Sequence, residues 1–101
     1  MIKVKHINEP KESNDVYIGR GSKWGNPFVI GRDGDRNLVI NKYIEYFDNN
    51  DELKKDIGEL KDKNLVCYCS PKTCHGDYLL KIVEKYKYNA ILDLLVLRNK
   101  R

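Results

Sequence analysis

The reactive side chains of this sequence crowd into one stretch, Leu65-Val66-Cys67-Tyr68-Cys69-Ser70-Pro71-Lys72-Thr73-Cys74-His75-Gly76-Asp77. It holds all three cysteines and one of the two histidines. Thiols and an imidazole gathered in this way suit a nucleophile, a metal ligand set or a site for a small anion. The apolar segment Leu65–Cys69 reads as a buried strand. Alternation along it puts Cys67 and Cys69 on one face and Tyr68 on the other. Thr73 reads as an N-cap, and Cys74 and His75 then fall in the first turn of a helix. Unpaired backbone N–H groups and the helix dipole favour negative charge there, whether a Cys74 thiolate or a bound phosphate. Cys74 is therefore expected to be the most reactive of the three thiols. Cys67, inside a strand with apolar neighbours, is expected to have a raised pKa. Gly76 leaves its amide open to close approach. Asp77 either orients His75 and assists Cys74, or is an ordinary helix-start acid.

Cys67, Cys69, Cys74 and His75 are the right ligand types for zinc. Their spacing is not: a strand-borne Cys-x-Cys and an adjacent Cys-His pair close one tetrahedron only with awkward geometry, and there is no second Cys-x-x-Cys. The expectation is no metal and no cofactor, with reduced thiols.

A second constellation is the loop Gly19-Arg20-Gly21-Ser22-Lys23-Trp24-Gly25-Asn26-Pro27, with three of the seven glycines and the only tryptophan. Its glycines let backbone amides face a ligand. Arg20 and Lys23 supply cations, Ser22 and Asn26 supply hydrogen bonds, and Trp24 offers a stacking surface or a core anchor. The loop is neither a Walker loop nor a G-x-G-x-x-G turn before a helix.

The elements that must hold these two stretches can be read from periodicity. Ile2–Ile7 and Asp15–Ile18 have strand character, and Phe28–Ile30 reads as a third strand. Leu38, Ile40, Tyr43, Ile44 and Phe47 recur at helical spacing, predicting a helix from Asp35 to Asp48. Asp51 reads as the cap of a second helix with Leu53, Ile57 and Leu60 as its apolar stripe. The helix after the cysteines is expected to bury Tyr78, Leu79, Ile82 and Val83, and the apolar tail Asn89–Leu97 also reads as helix. The order implies a small α/β domain, 1–101, with a mixed, mostly parallel sheet flanked by helices in a minimal Rossmann-like arrangement. Leu65–Cys69 would be its central strand, with the site at that strand's C-terminal end.

Composition agrees. With 41% hydrophobic and 34% charged residues, the chain has enough apolar side chains for a core. The net charge of +4 allows an anionic ligand, yet acidic residues are mixed throughout, which does not favour nucleic acid. No apolar run suits a membrane span and the N-terminus lacks a signal-peptide core, so the expected location is the cytoplasm.

The two stretches Val16–Phe28 and Leu65–Asp77 together resemble the domain-of-unknown-function family numbered 4326, small proteins of phages and bacteria. The resemblance spans about residues 15–80. The family's motif residues fall on Gly19, Arg20, Trp24, Gly25, Asn26, Pro27, Cys67, Cys69, Cys74, His75, Gly76 and Asp77. Tyr68 stands where the family often has tryptophan. The resemblance implies a host cell that is bacterial or phage-infected, and it marks the site without naming an activity.

Three readings follow. The preferred one is a site for a nucleotide-like or other phosphate-bearing anion between the Gly19–Pro27 loop and the helix starting at Cys74. Arg20, Gly19, Ser22, Trp24, Asn26, Cys69, His75 and Gly76 would be its binding residues. In the second, Cys74 is the nucleophile of an enzyme acting on such a ligand, with Asp77 assisting. Adjacent helical side chains diverge by about 100°, so His75 is poorly placed as a direct base for Cys74. The third is a zinc-stabilised module that binds nucleic acid or protein. Oligomeric state is not readable.

Overall fold

A computed structural model describes the backbone of residues 2–70 and 72–99, and the side chains of those residues up to 88. The elements run β1 (Val4–His6), β2 (Asp15–Tyr17), α1 (Arg36–Asp48), α2 (Asp51–Asp56), a 3-10 turn (Ile57–Leu60), β3 (Asn64–Cys67) and α3 (His75–Asn99). The strands form one sheet in the order β1-β3-β2. Both pairings are parallel, with Val4 and Val16 each opposite Leu65. Among the described residues the sheet is thus purely parallel rather than mixed, and β3 is central as expected.

All four residues of β3 are buried, as a strand covered on both faces requires. One face carries Val4, Val16, Leu65 and Cys67 into the main core. There they meet Tyr43 and Phe47 of α1, Leu53 of α2, Ile57 and Leu60, and Leu79 and Val83 of α3. The other face is covered differently. Lys5, opposite Val66 and only 2% exposed, sends its ammonium to the Pro10 carbonyl (2.7 Å), Glu12 (3.0 Å) and Asp15 (3.0 Å). Burial alone would lower the Lys5 pKa, but the hydrogen bonds to Asp15 and Glu12 outweigh it and hold the pKa above its usual value. Asn64 Nδ2 ties the same Glu12, Asn14 and Asp15 together from β3.

Local chemistry explains the helix starts. Asp35 caps α1 by accepting from the Leu38 N–H at 2.8 Å, and Asn50 rather than Asp51 caps α2 by accepting from Leu53 at 3.1 Å. The expected strand Phe28–Ile30 does not form. Its amides are taken by side chains: Phe28 N–H donates to Asn26 Oδ1 and Val29 N–H to Asp33 Oδ2. Those bonds leave no ladder for a strand to join. In α3, Leu79 and Val83 are fully buried while Tyr78 and Ile82 are half-buried. The helix backbone continues through the apolar tail to Asn99; the tail's side chains, like Pro71 of the cysteine turn, lie outside the described residues.

Candidate functional site

Beyond the C-terminal end of β3 lies a cavity of about 230 Å³. Gly19, Arg20, Asn26, Phe28 and Ile30 line it from one loop. Arg36, Val39 and Ile40 come from α1, and Cys67, Tyr68, Cys69, Thr73, Cys74 and His75 from the β3–α3 connection. The two stretches singled out in the sequence therefore share one wall-to-wall site, with the start of α1 between them.

The Gly19–Pro27 loop holds its shape through internal bonds. The Gly19 carbonyl accepts from both the N–H (3.1 Å) and Oγ (2.7 Å) of Ser22. A Cβ at Gly25 would stand 2.7 Å from that same carbonyl oxygen, so this crossing of backbones requires glycine. Asn26 locks the far end, donating from Nδ2 to the Val39 carbonyl at 3.1 Å while Oδ1 accepts from Phe28. Ser22 and Asn26 thus position the loop, with their polar groups already committed.

Two other residues differ from expectation. Trp24 is 3% exposed and belongs to the core, where its carbonyl accepts from the buried Tyr43 hydroxyl at 2.8 Å. It is the core anchor and presents no stacking surface. Lys23 turns away from the cavity to pair with Asp56 and Glu59, both at 2.9 Å. The cations of the site are instead Arg20, which is exposed, and Arg36, which the sequence reading passed over. Arg36 Nη1 donates to the Thr73 carbonyl at 3.0 Å and so bridges α1 to the loop before α3.

The helix begins one residue later than expected. His75 is the first residue of α3, and Cys74, not Thr73, occupies the capping position. The Gly76 N–H donates to Cys74 Sγ (3.3 Å) and the Cys74 N–H donates to Asp77 Oδ2 (2.9 Å). This is a variant of the capping box, with sulfur in place of the usual hydroxyl and accepting from the second helical amide rather than the third. Two assignments change as a result. The Gly76 amide is spent on the cap, and a Cβ there would press on Ile18 (2.8 Å) and Val4 (3.2 Å), so Gly76 serves packing. Asp77 does not line the cavity, and its carboxylate serves the cap.

Cys67 and Cys74 are 1% and 3% exposed, and their sulfurs lie 3.4 Å apart. At that distance one thiol donates its S–H to the other sulfur. The hydrogen bond from Cys74 lowers the Cys67 pKa; burial opposes this and the backbone amides of Cys69 and Ser70 assist it. Cys74 is pushed up, first by that hydrogen bond and then by burial. The expected order of acidity is inverted, because the sulfur contact outweighs the helix N-terminus. Cys69 is the more accessible thiol, half-buried at the cavity wall beyond the end of β3. Since β3 stops at Cys67, strand alternation does not reach Tyr68 either. Its ring is 65% exposed, lines the same cavity and packs edge-on against Tyr17.

His75 is 7% exposed, and burial lowers its pKa, so the ring is neutral near pH 7. Nε2 lies 2.7 Å from the Ile18 carbonyl, an acceptor only, so Nε2 carries the proton and Nδ1 is left with a lone pair. Tyr43 packs against the ring with centroids 4.9 Å apart. Among the described residues, no three His, Cys, Asp or Glu side chains are grouped to hold a metal ion.

The family model described as Domain of unknown function (DUF4326) matches residues 2–85, which include both loops and the whole cavity lining. The chain belongs to DUF4326. Its relatives include an uncharacterized protein of Acanthamoeba polyphaga mimivirus, 34% identical, the match covering 89% of this chain and 85% of that one. Another is an uncharacterized 12.4 kDa protein of the nrdA-td intergenic region in Enterobacteria phage T4. It is 34% identical, with 78% of this chain and 76% of that protein covered. No solved structure matches. DUF4326 is thus represented in viruses. Among the described residues, no helix is long and apolar enough to cross a membrane.

Proposed function

We propose that this DUF4326 protein binds a nucleotide-like or other phosphate-bearing anion in the cavity at the end of β3. The observation that carries the reading is that two arginines, Arg20 and Arg36, line one cavity with the apolar Phe28, Ile30, Val39 and Ile40 and with the exposed Tyr68. Arginine forks suit phosphate oxygens, and an aromatic and aliphatic wall suits a base or ribose face. The volume of about 230 Å³ lies below the usual small-molecule range of about 300–1,000 Å³, which favours a mononucleotide-sized ligand over a longer chain. The backbone N–H of His75, at the first position of α3, supplies a further donor, and Nδ1 of the neutral ring accepts from a ligand hydroxyl. The ligand is met in the cytoplasm of the host cell.

A thermal-shift screen over mononucleotides, dinucleotides and ADP-ribose-like compounds tests this. A rise in melting temperature that grows with ligand concentration is expected. If no phosphate-bearing compound raises it at millimolar concentration, the reading is lost.

A second reading, an enzyme acting on the same ligand through a cysteine, draws on one specific observation: a thiol pair lines the cavity. The nucleophile in that reading is one of the three cavity thiols, of which Cys69 is the most accessible. Turnover of any stabilising ligand, lost with binding retained when one of the three is changed to serine, would select it.

A further inference from the structure

We propose that Cys67 and Cys74 form a redox-active dithiol, oxidised by a small peroxide that enters the cavity to a Cys67–Cys74 disulfide. The proposal does not depend on a nucleotide ligand. It begins with the sulfur–sulfur distance of 3.4 Å, in a chain with no other cysteine pair in hydrogen-bond contact among the described residues. A disulfide needs about 2.05 Å, so the sulfurs must close by roughly an ångström and a half. The backbones of both are held, Cys67 at the end of β3 and Cys74 in the cap of α3, so the approach falls to rotation about the two Cα–Cβ bonds.

Burial selects the oxidant. At 1% and 3% exposure, neither sulfur offers a bulky disulfide the in-line approach that exchange requires, whereas a peroxide is little larger than water. The Cys67 thiolate attacks one peroxide oxygen, the O–O bond breaks, and the departing hydroxide takes a proton to leave as water. Cys67 is then a sulfenic acid. Cys74 sulfur attacks Cys67 sulfur, and the displaced hydroxyl leaves as a second water with the Cys74 proton. Two thiols and one peroxide become one disulfide and two waters; sulfur loses the two electrons that the peroxide gains. The hydrogen bond from Cys74 favours the Cys67 thiolate that the first step needs.

The test treats the reduced full-length chain with one equivalent of hydrogen peroxide, then denatures it, alkylates it and maps its peptides. The expected product has lost its two thiol hydrogens, is cross-linked between Cys67 and Cys74, and is alkylated at Cys69. In Cys74→Ser, dimedone present as the treated chain is denatured should trap a sulfenic acid at Cys67; in Cys67→Ser treated the same way, no sulfenic acid should appear at Cys74. Glutathione disulfide should produce the cross-link far more slowly than peroxide. Oxidation confined to Cys69, or alkylation of Cys67 and Cys74 in the treated wild type, overturns the proposal even if the variants fail to fold. A cross-link formed as fast by glutathione disulfide as by peroxide overturns the choice of oxidant.

Discussion

Arg20 and Arg36 line the same cavity, but only Arg36 also holds the fold together. Its guanidinium donates to the Thr73 carbonyl, whereas Arg20 is exposed. Removing either should therefore weaken a phosphate-bearing ligand by about 1.5–3 kcal/mol, the scale of a charge-assisted hydrogen bond. Only Arg36→Ala should also cost stability, about 1 kcal/mol for the lost bond. Calorimetric titration beside chemical denaturation separates the two effects. Equal stability loss in both variants would mean that the Thr73 contact contributes nothing. His75 gives a second residue-level expectation, with its sign fixed by burial. The folded state resists protonating the ring, while the unfolded chain takes the proton near pH 6.5. Stability is then complete above about 6.5 and lost as pH falls toward the folded value. Melting temperature should drop between pH 7 and pH 5, and drop less in His75→Gln, whose amide can still donate to the Ile18 carbonyl. A drop of the same size in the variant would assign the effect to other groups.

At the scale of elements, the start of α3 is where the site and the fold depend on the same bonds. Cys74 sulfur and the Asp77 carboxylate each satisfy a terminal backbone N–H. Asp77→Ala should therefore destabilise the protein by about 1 kcal/mol, as loss of a cap does. It should leave ligand affinity nearly unchanged, because Asp77 is outside the cavity lining. A large loss of affinity with intact stability would return Asp77 to the site. The same element shows how far the sequence could be read. The α1 helix was legible because Tyr43 and Phe47 carry a helical period into the core and Asp35 is a strong cap. The central strand was legible from its unbroken apolar run. Phe28–Ile30 misled because β-type residues there give their amides to Asn26 and Asp33, side chains whose partners only the folded loop defines. Trp24 and Lys23 misled for a related reason: within a loop, residue type does not say which way a side chain faces. Arg36 lies in a helix whose apolar period speaks only of packing. A cation at the first position of a helix, where the dipole disfavours positive charge, was the signal available.

For the molecule as a whole, the cavity sets two arginines at its walls against a pair of thiols in hydrogen-bond contact. The hydrogen bond from Cys74 holds the Cys67 pKa below the ordinary thiol value, so as pH rises the pair adds a negative charge to the site earlier than a free thiol would. Burial lowers the His75 pKa, so its ring gains charge only below the ordinary imidazole range, and Cys67→Ser separates its contribution from that of the thiols. An anion should consequently bind more tightly at pH 5.5 than at pH 7.5. A phosphodiester of mononucleotide size, such as a cyclic mononucleotide, is the suitable probe, because its own charge is constant over that range, unlike a terminal phosphate with a second pKa near 6. The expected change is a few-fold in Kd, centred below the ordinary thiol range, since two charges a few ångströms apart in a partly solvated site interact by about 1 kcal/mol or somewhat more. Cys67→Ser removes the titrating thiolate and should flatten the profile at the tighter-binding level. A profile that keeps its midpoint in Cys67→Ser would show that the charge resides elsewhere. Affinity that rises with pH in the wild type would mean that the thiolate does not face the bound anion at all.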